Sequence, residues 1–158
     1  MRHIKATPDD TTLPVSIAIV ISQFNQEITT GLKEGALKRL ADCGVKEKDI
    51  TLVEVPGAIE IPLVIKALAK TKRYGALIAL GAIIRGETTH YDYVCQQVSY
   101  GCQRVALDFD LPVVFGVLTT ENEAQALDRI GGNHGHKGAD SVDCALSMIA
   151  VLQQMRDL

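Results

Sequence analysis

Val15-Ser-Ile-Ala-Ile-Val-Ile21 is the stretch on which the fold turns. It is short, rich in β-branched residues and preceded by Pro14, so it reads as a strand. Its near-continuous apolar character reads as burial on both faces. The next segment has a different period. Ile28, Leu32, Ala36 and Leu40 recur every four residues, a helical stripe that stops near Gly44. The same pair of patterns then repeats. Ile50 to Val55 is a second strand ended by Pro56-Gly57, and Ile59 to Lys72 is a helix with Pro62 in its first turn, where proline is tolerated. Gly75 to Ile84 is a third strand, and Val94, Val98, Cys102 and Val105 mark a third helix. Pro112 to Leu118 is a fourth strand and Glu123 to Ile130 a short helix. Val142, Ala145, Leu146, Ile149 and Leu152 line one face of a long last helix. Strands alternating with helices predict an α/β fold of three layers, α/β/α, with a central four-stranded parallel sheet and right-handed crossovers.

Size and composition narrow the function. The 158 residues match one domain, 1–158, and 47% hydrophobic residues supply its core. A net charge of -3 argues against a nucleic-acid partner. The longest apolar run, Ala76 to Ile84, is too short to span a membrane. Met1 to Pro14 is polar and lacks the apolar centre of a signal peptide, so the expected location is cytoplasmic. Cys43, Cys95, Cys102 and Cys144 form no C-x-x-C pair and read as buried thiols in a reducing compartment. His134-x-His136 lacks a third ligand nearby, so no metal is expected. The first dozen residues are too polar for the core of their own domain; they are either frayed or paired with another subunit.

In open parallel sheets ligands bind beyond the carboxyl ends of the strands. Four segments fall there: Ser22 to Asn25, Pro56 to Glu60, Gly81 to His90 and Gly116 to Asn122. The third, Gly81-Ala-Ile-Ile-Arg-Gly-Glu-Thr-Thr-His-Tyr-Asp92, is the richest. Its strand ends near Ile84 and a helix begins near His90 or Tyr91. Backbone N–H groups and the Thr88 and Thr89 hydroxyls at that helix start suit a phosphate or carboxylate; equally, Thr89 can serve only as a cap. A P-loop is excluded because Glu87 stands where the lysine must be. His90 suits proton transfer near neutral pH, or is a solvated structural histidine. Arg129 closes the short helix and Lys137 follows in the glycine-rich loop Gly131 to Gly138; both fit a phosphate or a solvated helix end. Phe24 and Phe115 stand at strand ends, where they either stack on a flat ligand or pack in the core. Glu60, at a helix start, is placed to cap that helix or to accept bonds from ligand hydroxyls.

Five motifs in this order resemble the lumazine synthase family: SQFN (Ser22 to Asn25), VPGAIEIP (Val55 to Pro62), GAIIRGETTHYDYV (Gly81 to Val94), FGVLTTEN (Phe115 to Asn122), and Arg129 followed by HKG (His136 to Gly138). The resemblance runs from about Val15 to the last helix. It implies a flavodoxin-like fold and a cofactor-independent transferase of riboflavin biosynthesis. That enzyme condenses 5-amino-6-(D-ribitylamino)uracil with 3,4-dihydroxy-2-butanone 4-phosphate to 6,7-dimethyl-8-ribityllumazine, phosphate and water. It also implies roles. Phe24 stacks on the pyrimidine. Ala58, Ile59 and Glu60 hold the same substrate, with Glu60 on the ribityl hydroxyls. Ala82, Ile83 and Ile84 meet the pyrimidine edge through backbone groups. Glu87 and Thr88 bind phosphate, with Arg129 as its positive charge and Lys137 as a further contact. His90 moves protons, and Phe115 comes from the neighbouring subunit. Pentamers, a 60-subunit icosahedral shell, riboflavin synthase as a partner, and an N-terminal arm (1–12) pairing with the next subunit belong to the same implication. Ile59 stands where many members carry an aromatic residue, and Asn133 where many shell-forming members carry lysine.

Two other classes compete. A non-catalytic flavin or lumazine carrier on this scaffold needs neither His90 nor Arg129. A flavodoxin-like electron carrier needs a phosphate loop rich in Ser, Thr and Gly after the first strand, which Ser22-Gln-Phe-Asn25 does not supply.

Overall fold

A computed structural model describes residues 1–156 and 158. β1 (Ile17–Ser22) leads into α1 (Gln26–Asp42), and β2 (Ile50–Val55) into a 3-10 turn at Ala58–Glu60 and α2 (Ile61–Lys70). β3 (Ala76–Ile84) leads into α3 (His90–Phe109), and β4 (Val113–Thr120) into the short α4 (Glu123–Leu127). A ribbon of β5 (Ile130–Gly132) and β6 (Gly135–His136) then delivers α5 (Lys137–Met155). The main sheet runs β2-β1-β3-β4 and is parallel throughout. That is the four-stranded α/β/α sandwich of the flavodoxin-like type, with the order reversing between β1 and β3.

The burial explains the sequence pattern. Every residue of the central β1 is buried, as is β3 through Ile83. Ile17, Ile19 and Ile21 join one core cluster with Leu32, Leu40 and Leu146 of α1 and α5. Ala18 and Val20 join the other, with Ile61, Ile65 and Val98 of α2 and α3. A strand covered on both faces has no polar position to alternate with. The edge strands β2 and β4 are partly open.

Several boundaries differ from the sequence reading. The helix expected to reach Ile130 stops at Leu127, and Ile130 begins β5. Asp128 is the cause: its carboxylate accepts the Asn133 N–H at 2.7 Å and bonds the His134 ring, closing a hairpin. The stretch read as a glycine-rich loop is therefore that hairpin, and Lys137 is the first residue of α5. β4 runs on to Thr120, which places Phe115 inside a strand rather than at its end. Cys102 is buried and Cys43 and Cys95 half-buried, but Cys144 is exposed on α5, against the expectation of four buried thiols. Near the N-terminus Pro8–Asp10 form a 3-10 turn lying on α5 of their own chain. Thr11 Oγ1 donates to Leu146 O and the Thr12 N–H to Gln153 Oε1. Among the described residues no helix is long and apolar enough to cross a membrane.

α1 and α5 approach closely at Gly138. A Cβ there would overlap the Leu32 carbonyl, and backbone cannot step aside cheaply. Gly138→Ala is therefore expected to lower unfolding stability by about 2 kcal/mol or more. Gly86→Ala, where a Cβ meets nothing within 4 Å, should change it little. Urea unfolding of both variants checks the contrast; equal midpoints would show that α1 and α5 can separate at no cost.

Candidate functional site

The first cleft opens at the carboxyl ends of β1, β2 and β3, at the point where strand order reverses. It encloses about 350 Å³, enough for a small organic ligand. Its wall brings together Phe24, Ala58, Ile59, Glu60, Ala82, Ile83, Ile84, Thr88 and His90. The β1–α1 turn is fixed by Gln23 and Phe24 N–H groups donating to Val55 O and Pro56 O. Asn25 takes a left-handed conformation (φ 61°), which asparagine tolerates better than most residues. Its side-chain amide donates to Ala82 O at 2.8 Å, tying the turn to β3. Phe24 is thereby held 72% exposed, free to stack on a flat molecule.

β3 overruns β1. Leu80 is the last residue of β3 paired with β1, and from Gly81 to Ile84 the strand pairs with β4 alone. Apart from the Ala82 carbonyl, which Asn25 takes, its other backbone edge lies at the cleft beside the small buried side chains of Ala58 and Ala82. Such an edge offers alternating N–H and C=O groups to a planar heterocycle. Glu60 takes the first of the two roles its position allowed. Its Oε2 accepts the Gly57 N–H at 2.9 Å, and the side chain stays exposed on the cleft.

The Gly86–Thr89 loop enters α3, whose first residue is His90. Thr89 makes no side-chain cap. Instead Thr88 Oγ1 accepts the His90 N–H at 3.3 Å. Among the described residues no backbone acceptor takes the N–H groups of Gly86, Glu87, Thr88 or Thr89. Open donors at the start of a twenty-residue helix form a place for an anion. Thr88 lines the cleft, whereas Glu87 stands outside its wall. His90 is exposed, and burial pushes the neighbouring Tyr91 phenol up, so Tyr91 stays protonated at neutral pH.

Phe115, Arg129 and Lys137 are elsewhere. They line a second cleft of about 380 Å³ along the free edge of β4, walled by α5 residues Asp140, Ser141 and Cys144. No residue lines both clefts. Arg129 donates from Nη1 to Gln125 O at 2.8 Å, and among the described residues no carboxylate pairs with it. Lys137 is paired with Asp140 at 3.0 Å. The hairpin sets both: the Lys137 N–H donates to Arg129 O at 2.8 Å. The bonds from the His134 ring and the Asn133 N–H hold the Asp128 carboxyl below the usual carboxylate range.

Sequence reasoning singled out neither Tyr91 nor Asn25 as positioning groups. Asn25 had a signal, since an Asn before a helix suits a left-handed turn. His134 and His136 separate: the first bonds Asp128, and the second accepts the Ala139 N–H at the start of α5. Among the described residues no group of three His, Cys, Asp or Glu is placed to hold a metal ion.

The comparisons agree with this geometry. Residues 14–153 match the sequence model of the 6,7-dimethyl-8-ribityllumazine synthase family. The proteins of that name from Coxiella burnetii strains CbuG_Q212 and RSA 493 / Nine Mile phase I are each 55% identical over 139 residues, 88% of this chain and 92% of theirs. The match spans both clefts and every strand of the sheet, and on it the chain belongs to the 6,7-dimethyl-8-ribityllumazine synthase family.

Proposed function

We infer that the chain condenses 5-amino-6-(D-ribitylamino)uracil with 3,4-dihydroxy-2-butanone 4-phosphate, giving 6,7-dimethyl-8-ribityllumazine, one phosphate and two waters. The first cleft takes the pyrimidine. Phe24 stacks on it, backbone groups of Ala82 to Ile84 meet its edge, and Ala58, Ile59 and Glu60 hold the same substrate, with Glu60 on the ribityl hydroxyls. The primary amine attacks the ketone and water leaves, forming an imine. A proton then leaves C3, next to the imine carbon, and phosphate leaves C4. The resulting enol becomes a ketone, the ribityl-bearing nitrogen closes the ring on it, and the second water leaves. His90 carries protons among these steps. The open N–H groups around Thr88 hold the phosphate, with Glu87 contributing only its backbone. Charge grows on the phosphate as it departs, so preorganised donors stabilise the transition state more than the ground state.

The observation that carries the reading further is the split between clefts. Phosphate elimination needs a cation, and of the Lys and Arg residues lining either cleft Arg129 is the one with no carboxylate partner among the described residues, yet it lines the cleft that His90 does not. The two clefts become one site when the β4 edge of one subunit meets the first cleft of the next. Phe115 (40% exposed), Arg129 and Lys137 then arrive from that neighbour. A head-to-tail contact of this kind closes into a ring, here a pentamer, and twelve rings make the 60-subunit shell. Of the arm expected to pair with a neighbour (1–12), Pro8 to Thr12 lie on α5 of their own chain; the residues ahead of Thr7, which carry no helix or strand, pair with the open β2 edge of the next subunit. The protein works in the cytoplasm without a cofactor, beside riboflavin synthase, which consumes the product.

The test is incubation of the purified protein with both substrates, followed at the lumazine absorbance and by phosphate release, with light scattering on the same sample. One phosphate per lumazine from a ring or shell is expected. No lumazine, with flavin retained on the protein, would replace the enzyme by a carrier.

A further inference from the structure

Arg85 stands beside the phosphate loop, yet its charge is spoken for. Nη2 and Nη1 donate to the two oxygens of Asp92 at 3.1 and 3.3 Å, and Nε to Glu121 Oε2 at 2.6 Å. The guanidinium also lies 4.3 Å from the centre of the Tyr91 ring. A cation near a helix N-terminus opposes the helix dipole, so its placement there needs a compensating reason. The geometry points to one: Arg85 is a positioning residue. It sets the Gly86–Thr89 loop and His90 and, through Glu121, the guanidinium of Arg129. This inference rests on the function proposed for the site.

Arg85 is a fixed post, because its N–H donates to Thr120 O at 2.9 Å. From that post its side chain grips Asp92 across the whole exposed loop. Among the described residues the only other side-chain tie within the loop is the long bond from the His90 N–H to Thr88. Asp92 and Tyr91 flank the first turn of α3, so gripping both fixes where His90 starts the helix. The other arm reaches the second cleft. The Glu121 N–H donates to Gln125 Oε1 at 2.8 Å, and Gln125 O accepts from Arg129 Nη1 at 2.8 Å. Three hydrogen bonds, joined through the covalent frames of Glu121 and Gln125, thus link the loop that receives phosphate to the arginine that Phe115 accompanies. Lysine cannot replace Arg85, since it offers a point charge where two carboxylates and a ring need a planar fork.

The test is steady-state kinetics of Arg85→Gln, Arg85→Lys and Glu121→Gln, each substrate varied in turn, with circular dichroism and melting as fold controls. Arg85→Gln should raise KM for the butanone phosphate about tenfold or more while KM for the pyrimidine stays within about twofold, since a loosened loop misplaces phosphate and not the stacked ring. Arg85→Lys should not rescue it. Glu121→Gln, which leaves the Asp92 pair intact, should show the same selective rise, smaller in size. Mere destabilisation would lower the active fraction and leave both KM values alone. Unchanged KM for the phosphate substrate in folded Arg85→Gln overturns the inference; if that variant does not fold, the same result in Glu121→Gln does. An inactive wild-type protein in the same assay would instead overturn the function on which the inference rests.

Discussion

Replacing Arg129 by alanine should lower kcat/KM by about 10²–10³-fold, the usual loss when one preorganised charge stabiliser is removed from a developing anion. Replacing His90 by alanine should cost only about tenfold, less than the roughly 10²–10⁴-fold usual for a general acid–base group. The order follows from what surrounds each side chain. Arg129 has a carbonyl and no carboxylate for a partner among the described residues, so its charge is free for phosphate. No other cation of the second cleft stands equally free, because Lys137 is paired with Asp140. His90 is exposed at the mouth of its cleft, and water reaches the same protons. Most of the acceleration is then proximity, which holding two small molecules together supplies up to about 7–11 kcal/mol. Arg129→Lys should recover part of the loss, since a point charge attracts phosphate but cannot grip it bidentately. The measurement is kcat and KM for the three variants on both substrates. Complete loss of turnover in a folded, pyrimidine-binding His90→Ala protein would refute the proximity account.

The fold was largely legible because its two periods are so distinct. Six apolar residues among the seven from Val15 to Ile21 leave no polar face for water, and the four-residue stripe from Ile28 to Leu40 cannot be a strand. Legibility failed where a single polar contact outweighs propensity. Nothing apolar marks Asp128 as the residue that ends α4. It does so by accepting the Asn133 N–H and bonding His134, partners that exist only once the hairpin has formed. β4 likewise outlasts its apolar run, because Thr119 and Thr120 pair with Ile83 and Ile84, and β3 is long.

The site was legible as a set of residues and not as an arrangement. Phe24, Ala58 to Glu60, Ala82 to Ile84, Thr88 and His90 do meet in one cleft. Strand-end reasoning finds them because each follows or ends a buried strand. It fails for Phe115, which lies within β4 opposite Ala79, and it is silent on Arg129, whose cleft runs along a strand edge rather than at a strand end. Arg85 shows the same limit from the other side. In sequence it is a cation beside a phosphate loop, and only its two carboxylate partners show that it holds the loop rather than the ligand.

Two crippled proteins should make one working enzyme. The double variant Phe24→Asp/His90→Ala disables the first cleft, and Arg129→Ala disables the second. Phe24 and His90 are exposed, so the double variant keeps the core intact. If each site joins the first cleft of one subunit to the β4 edge of the next, co-assembled rings contain junctions where both halves are native. In a random equal mixture of a head-to-tail ring this is about a quarter of the sites. Coexpressed protein should then regain about a quarter of wild-type activity, far above either parent. Mixing the two after separate assembly should regain little until the rings are dissociated and reformed. If instead Arg129 and His90 of the same chain served one site, every site would carry a defect and coexpression would yield only the average of the parents. The experiment reads the same split that the structure contains. His90 and Arg129 line clefts with no residue in common.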